Sequence, residues 1–417
     1  MAKDETHWVP TRREYVRYGG AVVGGGLLAG CTGGNESNES SGASTSVDAS
    51  AATEAGTETG SATTGDDSYS VAMEPAGTVE FDAVPERWVA YKSGYGDMGI
   101  SLGVGDGLVG TDRPSESFAL LAKRFYSQLP GVELDFGDVA NIRADGEAVD
   151  KEIFYEVDAD LHLMDPNLPV VYFDWSDGDV AEVSRNVAPF FGNFIRRARD
   201  DAWGESYRSY TLYEAFEKVS RVFRRRERYD AFERLHEEVQ SRIDDALPPV
   251  AERPSIALMN GGSDPANGTF YAMDPTAPGY EMKQYRDLGI KNAFEGVETG
   301  QYGETDYETL LEVDPEIIVF HWGVTYERDA FREQFVAPML EDDVARELTA
   351  VREENLYPGG TAEQGPTINL FQTEMLAQQQ YPEEFGEFPG LGETPEEEEQ
   401  LFDRERVAGI INGEIQA

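Results

Sequence analysis

Hydrophobic and polar residues alternate along most of the chain in the way that short strands and helices do when they follow one another. The apolar runs at 78–81 and 88–91 predict strands, and the Ser-Gly-Tyr-Gly-Asp stretch at 93–97 predicts a flexible turn after the second strand. Further apolar runs follow at 161–164 and 170–173. This alternation of strand, loop and helix indicates an α/β lobe.

The pattern changes between residues 205 and 247, where neither Gly nor Pro occurs. Residues 227–247 predict a helix about 30 Å long, at 1.5 Å per residue. Its apolar residues recur every three or four positions, at Tyr229, Phe232, Leu235, Val239, Ile243 and Leu247. Two prolines end the helix, and a buried strand at 255–259 restarts the alternation. One long helix is therefore predicted to join two α/β lobes.

An internal repeat supports the division into two lobes. Residues 151–164 and 307–320 share a short amphipathic helix opened by an acid, a Val-Asp turn and an apolar strand. Four of the fourteen positions are identical. A shared pattern at matching places in two halves of a chain is typical of a duplicated supersecondary unit.

The first thirty residues have the layout of an export signal. Four basic residues precede a weakly apolar stretch at 18–30, which is too short for the ~20 residues that span a bilayer as a helix. Arg12-Arg13 resembles the twin-arginine export signal, and Leu-Ala-Gly-Cys resembles a bacterial-type lipobox. Residues 1–31 are thus expected to be a signal peptide with lipobox, with Cys31 as the lipid-carrying residue.

The composition of the residues that follow the lipobox predicts a tether between it and the folded part of the chain. Cys31 is the only cysteine, so no intrachain disulfide can form. Residues 32–78 are dominated by Ser, Thr, Gly, Ala and acidic residues, which bury too little surface to fold, and predict a disordered tether. The remaining chain divides into a lobe at 79–204, a linker region at 205–252 and a lobe at 253–417.

The net charge of -46 comes from 80 acidic and 34 basic residues. Such a chain repels itself in dilute salt, whereas at molar salt the Debye length of about 3 Å screens the repulsion. The charge indicates a protein that works in high salt, for which nucleic acid and anionic lipid surfaces are poor partners. It also makes any single Asp or Glu weak evidence for catalysis.

Several motifs, taken in order, carry a resemblance to a known family. Pro-Glu-Arg-Trp-Val at 85–89, Leu-Gly-Val-Gly-Asp with Val-Gly at 102–110, the repeat, and elements at 348–357 and 376–385 are similar to those of solute-binding lipoproteins of ABC importers for ferric siderophores, haem and cobalamin. The resemblance covers residues 79–390. It implies a class III periplasmic-binding-protein-like fold, two α/β lobes joined by a single long helix.

The same resemblance implies a binding protein that is not an enzyme and carries no cofactor. Its partners would be a metal-chelate ligand, the permease and the permease's ATPase subunits, with the lipid anchor as its contact with the membrane. The chain lacks a Gly-x-x-x-x-Gly-Lys-[Ser/Thr] loop, so ATP hydrolysis would occur on a separate subunit.

The resemblance further implies one exposed Glu per lobe that contacts basic residues on the permease. In the first lobe the family's Pro-Asp pair has Ala159 in place of the proline. Counting eight residues back from the acids that open the repeated strands, Asp160 and Glu316, gives Glu152 and Glu308. These two are the predicted docking carboxylates, and ordinary surface acids are the alternative.

Ligands of a two-lobed binder lie between the lobes, at loops that follow the carboxyl ends of strands. Aromatic planes suit the organic wall of a siderophore or tetrapyrrole, and Arg can donate to oxygens around a ferric ion. The candidates at strand ends are Tyr91, Tyr95, Arg113, Trp175, Phe270, Tyr271 and Trp322. Ordinary lobe packing is the alternative for each. The set favours a ferric siderophore of the hydroxamate type; cobalamin stays open, and haem lacks an obvious His or Met ligand pair.

Two other classes of function fit less well. Zinc and manganese binders use several His, but of the four His only His162 and His321 lie near strand ends. A serine hydrolase should carry Gly-x-Ser-x-Gly, and the nearest match, residues 261–265, has Pro in place of the final Gly. No metal ligand and no catalytic residue is therefore predicted.

Overall fold

The computed structural model describes residues 68–114, 117–143, 149–197, 203 and 207–415. The predicted signal peptide, Cys31 and the predicted tether as far as residue 67 lie outside the described residues. Within the described ranges, no helix is both long and apolar enough to cross a membrane.

The strands are β1 (Tyr69–Met73), β2 (Gly77–Phe81), β3 (Trp88–Ala90), β4 (Leu108–Thr111), β5 (Ala140–Asn141), β6 (Leu161–Leu163), β7 (Ser255–Asn260), β8 (Phe270–Tyr271), β9 (Lys291–Asn292), β10 (Glu304–Thr305), β11 (Ile317–His321) and β12 (Leu356–Pro358). The helices are α1 (Ser93–Ser101), α2 (Ser117–Tyr126), α3 (Glu152–Val157), α4 (Asn167–Tyr172), α5 (Asp177–Asn186), α6 (Leu212–Val222), α7 (Arg226–Ala246), α8 (Lys283–Asp287), α9 (Tyr307–Val313), α10 (Arg328–Phe331), α11 (Ala337–Glu341), α12 (Thr349–Arg352), α13 (Pro366–Gln380), α14 (Pro382–Phe385) and α15 (Arg404–Asn412).

Each lobe is built on a parallel four-stranded sheet. The order is β5-β4-β3-β6 in the first lobe and β12-β11-β7-β9 in the second. All three residues of β3 and all five of β11 are buried, and apart from His321 they are apolar. Strands buried on both faces are typical of parallel sheets covered by helices, and they account for the continuous apolar runs in the sequence.

The internal repeat corresponds to equivalent elements of the two lobes. The first copy forms α3 and β6, beside β3, and the second forms α9 and β11, beside β7. The acids that open the strands also match. Asp160 Oδ2 accepts from the backbone N–H of Arg87 at 2.8 Å, and Glu316 Oε2 accepts from that of Ser255 at 2.8 Å. The repeat predicted from sequence is therefore confirmed as a structural one.

The predicted inter-lobe helix is α7, which runs one residue earlier than expected at both ends. The buried side of α7 includes the predicted apolar positions from Tyr229 to Ile243. A second connection, which the sequence pattern did not reveal, is α13. Every residue of this helix is buried, and it packs on α1 of the first lobe and on α8 of the second.

The glycine-rich stretch at 93–97 forms the first half of α1, so the prediction of a flexible turn was wrong. The glycines of α1 allow aromatic rings to pack close to the backbone of the helix. A Cβ on Gly99 would lie 2.4 Å from the ring of Trp88, and one on Gly96 would lie 3.0 Å from Phe118. Helix packing against bulky aromatic rings outweighs the low helix propensity of Gly here.

The predicted tether extends too far, because β1 and β2 form an antiparallel hairpin that begins at Tyr69. Tyr69 stacks on Phe81, with ring centroids 5.2 Å apart, and Val71 and Met73 are buried. These few apolar residues stand in a polar stretch, but together on one face of a hairpin they bury enough surface to join the fold.

Candidate ligand-binding cleft

Three residues just past the ends of central strands have backbone φ angles in the left-handed region. Lys92 lies two residues after β3 with φ 70°, Arg113 lies two residues after β4 with φ 50°, and Trp322 directly follows β11 with φ 74°. This conformation is unfavourable for residues other than Gly, and such strain concentrates at functional sites. The strained residues mark the carboxyl edges of both sheets, which face each other across the inter-lobe cleft.

A narrow pocket with room for about one water molecule lies at this edge. Its lining includes Tyr91, Lys92, Tyr95, Asn193 and Arg196 of the first lobe and Tyr280 of the second. The hydroxyl of Tyr95 donates to the Asn193 carbonyl at 2.9 Å and accepts from the Asn193 N–H at 2.7 Å. The ring of Tyr95 is thus held in place at the pocket wall.

Lys92 bridges the two lobes. Its ammonium lies 2.9 Å from Asp112 Oδ2 in the first lobe and 3.6 Å from Glu363 Oε1, which follows β12 in the second. Its backbone N–H also donates to Asp112 Oδ1 at 2.9 Å. Burial alone would raise the pKa of Asp112, but Lys92 and Arg143 hold that pKa below its ordinary value.

A second pair of charges joins the lobes beneath the pocket. The guanidinium of Arg196 donates to both carboxylate oxygens of Glu281, at 2.9 and 3.1 Å. Backbone hydrogen bonds from Tyr280 N–H to the Ile195 carbonyl and from Glu281 N–H to the Arg196 carbonyl, each 3.0 Å, continue the contact. Burial would raise the pKa of Glu281, yet the cations around it hold the pKa well below its usual range.

These features, two α/β lobes, a bridging helix and a charged aromatic pocket between them, agree with comparison to known proteins. Residues 145–361 match the family model described as periplasmic binding protein. The chain belongs to this family. Its fold is class III periplasmic-binding-protein-like, as the sequence predicted, and the family consists of substrate-binding proteins rather than enzymes.

Solved structures share the fold of this periplasmic binding protein. They include the iron uptake ABC transporter substrate-binding protein PiuA from Streptococcus pneumoniae and a periplasmic solute binding protein from Mycobacterium smegmatis. Each is 15% identical in sequence, covers 74% of this chain and 97% of its own, and has a TM-score of 0.51. At this identity the likeness concerns the fold alone. No curated protein matches the chain.

Three of the predicted ligand residues of this binding protein lie around the pocket. Tyr91 and Tyr95 line it directly. Trp322 of the second lobe does not line the pocket but lies next to it, because the centre of its ring is 5.7 Å from the guanidinium carbon of Arg196, a residue of the pocket wall. Tyr91 is supported from behind by an edge contact with Phe173, with ring centroids 5.4 Å apart.

The other predicted ligand residues lie elsewhere. Trp175 packs on Phe154 in the core of the first lobe and donates its indole N–H to a backbone carbonyl at 2.7 Å. Phe270 is completely buried against Tyr307. Half-buried Arg113 and Tyr271 do not line the pocket. The ends of β3, β4 and β11 were located correctly, but the run at 170–173 before Trp175 belongs to the helix α4, and Phe270 and Tyr271 form the strand β8. The direction in which each side chain points depends on packing that a single sequence does not display.

Sequence reasoning missed the charged groups of the cleft. Lys92 and Asp112 each follow a predicted strand, so their position was a usable signal. Arg196, Glu281 and Glu363 lie in loops without any periodic pattern. In a chain with 80 acidic residues, nothing in the local sequence distinguishes the two glutamates from surface acids.

The two histidines near strand ends are buried in different surroundings. His162 lies between the rings of Phe154 and Phe190, and burial lowers its pKa to about 3. His321 lies 3.0 Å from the hydroxyl of Tyr285 and 3.4 Å from Glu281. Among the described residues no group of three or more His, Cys, Asp or Glu could hold a metal ion.

Both predicted docking carboxylates, Glu152 and Glu308, are exposed in the first turns of α3 and α9. Each helix leads directly into a strand that runs toward the cleft. The start of each helix therefore lies at the cleft end of its lobe. Each lobe thus carries one of the two carboxylates at that end.

Proposed function

We propose that this protein captures a ferric siderophore outside the cytoplasmic membrane and delivers it to the permease of an ABC importer. The chain would be exported by the twin-arginine route and anchored through a lipid on Cys31. The observation that carries the proposal is the aromatic pocket between the lobes, with Tyr91, Tyr95 and Trp322 around it. The iron uptake named for the S. pneumoniae structure agrees with it.

The charges of the pocket favour a hydroxamate ligand. A ferric ion bound by three hydroxamate groups is electrically neutral, whereas three catecholate groups leave a strongly anionic complex. The three cations Lys92, Arg143 and Arg196 are matched by three carboxylates, those of Asp112, Glu363 and Glu281. An anionic complex would approach these buried carboxylates at close range, where like charges repel strongly.

Delivery would use Glu152 and Glu308 as one docking carboxylate per lobe. Both are exposed at the cleft end, so a permease dimer that contacts both would lie over the cleft opening. ATP hydrolysis on the separate ATPase subunits would then supply the energy for transport.

Tryptophan fluorescence titration in molar salt tests the ligand. We expect a ferric trihydroxamate to quench the emission, a ferric tris-catecholate to bind more weakly, and Trp322→Phe to remove part of the signal. Tyr91→Ala should weaken binding, while Tyr271→Phe, outside the pocket, is the matched control. Quenching by cobalamin and by no siderophore would identify cobalamin, in place of a siderophore, as the ligand. Quenching by free Zn²⁺ or Mn²⁺, with none by any chelate, would overturn the proposal.

A further inference from the structure

A basic cluster interrupts this acidic chain at the turn between α6 and α7. Six of the eleven residues 218–228 are Lys or Arg, against 34 of 417 in the whole chain. Over residues 217–230 the six basic residues face only three acids, Glu217, Glu227 and Asp230, which leaves an excess of three positive charges. We call Lys218, Arg221, Arg224, Arg225 and Arg226 the distal basic patch.

The patch is on the surface. Arg221, Arg224, Arg225 and Arg226 are exposed, and the side chains of Arg221 and Arg226 keep 57% and 49% of their accessible area. Arg221 and Arg226 both pair with Glu217, and Arg226 also pairs with Asp230. Because only three acids face six basic residues over this stretch, the local surface is cationic in spite of the charge of the whole molecule.

The patch lies at the end of the first lobe that is remote from the cleft. The ring of Phe223, within the turn, contacts that of Trp88, which begins β3 at the amino edge of the sheet. Arg228 donates to the carbonyl of Leu102, just after α1, a helix that begins at the cleft and ends at the opposite side. The docking carboxylate Glu152 is at the other end of the same lobe.

The chain joins the fold at the same place. Tyr69, the first residue of β1, donates its hydroxyl to the carbonyl of Val222, and its ring lies 4.2 Å from the guanidinium carbon of Arg224. If residues 32–67 form the tether that their composition predicts, a chain of that length would have an end-to-end distance of roughly 35 Å. An anchor on Cys31 would thus hold this end of the lobe close to the membrane.

We propose that the distal basic patch binds the phosphate groups of anionic lipids and orients the anchored protein with its cleft facing away from the membrane. The proposal rests on the lipid anchor of the proposed function. At molar salt the repulsion between the acidic body and the lipids reaches only about 3 Å, so contacts at hydrogen-bond distance determine the orientation. Guanidinium groups bind phosphate oxygens at that distance, often in pairs.

A weak contact between the distal basic patch and lipid phosphates is sufficient to orient the anchored protein. A tether of this length keeps the patch at an effective concentration on the order of millimolar over the membrane. Capture from outside would occur in the cleft-outward orientation, and the protein would turn over to dock on the permease. Strong binding to lipid would hinder that turn, and charges shared with Glu217 keep the contact weak.

Vesicle flotation in molar KCl tests the proposal on the full chain with Cys31→Ser, so that no lipid is attached, at lipid concentrations of about 1 mM or more that replace the effective concentration given by the tether. We expect binding to phosphatidylglycerol vesicles over phosphatidylcholine vesicles, and a loss of at least about tenfold in the triple variant Arg221→Glu, Arg224→Glu, Arg225→Glu. The triple variant Arg332→Glu, Arg346→Glu, Arg352→Glu changes charge equally at exposed positions elsewhere and should bind like its parent. Equal binding by both triple variants, or no preference for anionic lipid, would overturn the proposal.

The orientation has its own readout. With Cys31→Ser, a dye is attached to Glu227→Cys beside the patch, or to Glu308→Cys at the cleft end. A quencher on the lipid headgroups should quench the first dye and not the second. Equal quenching of the two would exclude the cleft-outward orientation. Ligand titration of the same variants is independent of vesicles, so failure of the ligand proposal is distinguishable from failure of this one.

Discussion

At the residue scale, one buried ion pair contributes to the contact between the lobes. Arg196 and Glu281 come from different lobes, and their side chains keep only 12% and 6% of their accessible area. Removing one partner leaves a buried charge without compensation, which is far more costly than losing both.

We therefore predict that Arg196→Met lowers the free energy of unfolding by about 3–5 kcal/mol, measured by urea denaturation in molar salt. The double variant Arg196→Met, Glu281→Leu should recover most of the loss, because no buried charge remains. Arg352→Met, at an exposed arginine, serves as the control. A loss with Arg196→Met no larger than that of the control would show that the pair is solvated.

At the scale of elements, α13 depends on a residue of α1. The carboxylate oxygen Asp97 Oδ2 accepts from the N–H groups of Gly365, Thr367 and Ile368 at 2.9, 3.1 and 3.1 Å, and Asp97 also accepts from the hydroxyl of Tyr126. An acceptor at a helix N-terminus satisfies N–H groups that have no partner within the helix. One side chain of the first lobe thus caps the helix that contacts both lobes.

This cap should make stability depend on pH. Burial raises the pKa of Asp97 to about 6 from the ordinary 3.8. The folded protein then keeps a proton that the unfolded chain has lost, so the contribution of Asp97 to the free energy of unfolding falls as pH rises from about 4 to 6. Asp97→Asn cannot titrate, and the stability difference between wild type and variant should shrink by roughly 3 kcal/mol over this range.

Urea denaturation of both proteins at several pH values measures this difference. Asp106→Asn, at an exposed carboxylate soon after α1, is the matched control and should leave stability almost unchanged. A difference between wild type and Asp97→Asn that stays constant, or grows with pH, would contradict the prediction.

At the scale of the whole molecule, the docking hypothesis predicts that removal of both docking carboxylates impairs transport without changing ligand capture. The double variant Glu152→Ala, Glu308→Ala should lose most uptake of the ferric siderophore while its affinity for the ligand stays the same. Glu156→Ala, Glu312→Ala removes exposed acids one turn further along the same helices and should transport normally. Full uptake by the first double variant would exclude both glutamates from docking.

The net charge of -46 also acts on the whole molecule. Because salt screens the repulsion among surface carboxylates, the thermal unfolding midpoint should rise steadily from dilute to molar KCl. Sucrose at equal osmolality does not screen charge and should stabilise less. A midpoint that is insensitive to KCl would mean that charge repulsion contributes little to stability.

Several features followed from the sequence by itself because the physical causes are local. The apolar period of α7 and the apolar runs of β3, β7 and β11 reflect burial of one helix stripe and of both sheet faces. Their order along the chain was enough to predict two α/β lobes, a bridging helix and the repeat of α3–β6 in α9–β11.

Only the tertiary structure decided which side chains meet across the lobes. Arg196 and Glu281 are 85 residues apart in the chain, and Asp97 lies 268 residues from Gly365. Composition even obscured these carboxylates, since acids cover the surface. Their role depends on burial and on a partner from the other lobe, because a buried carboxylate is stable only where a specific donor or cation faces it.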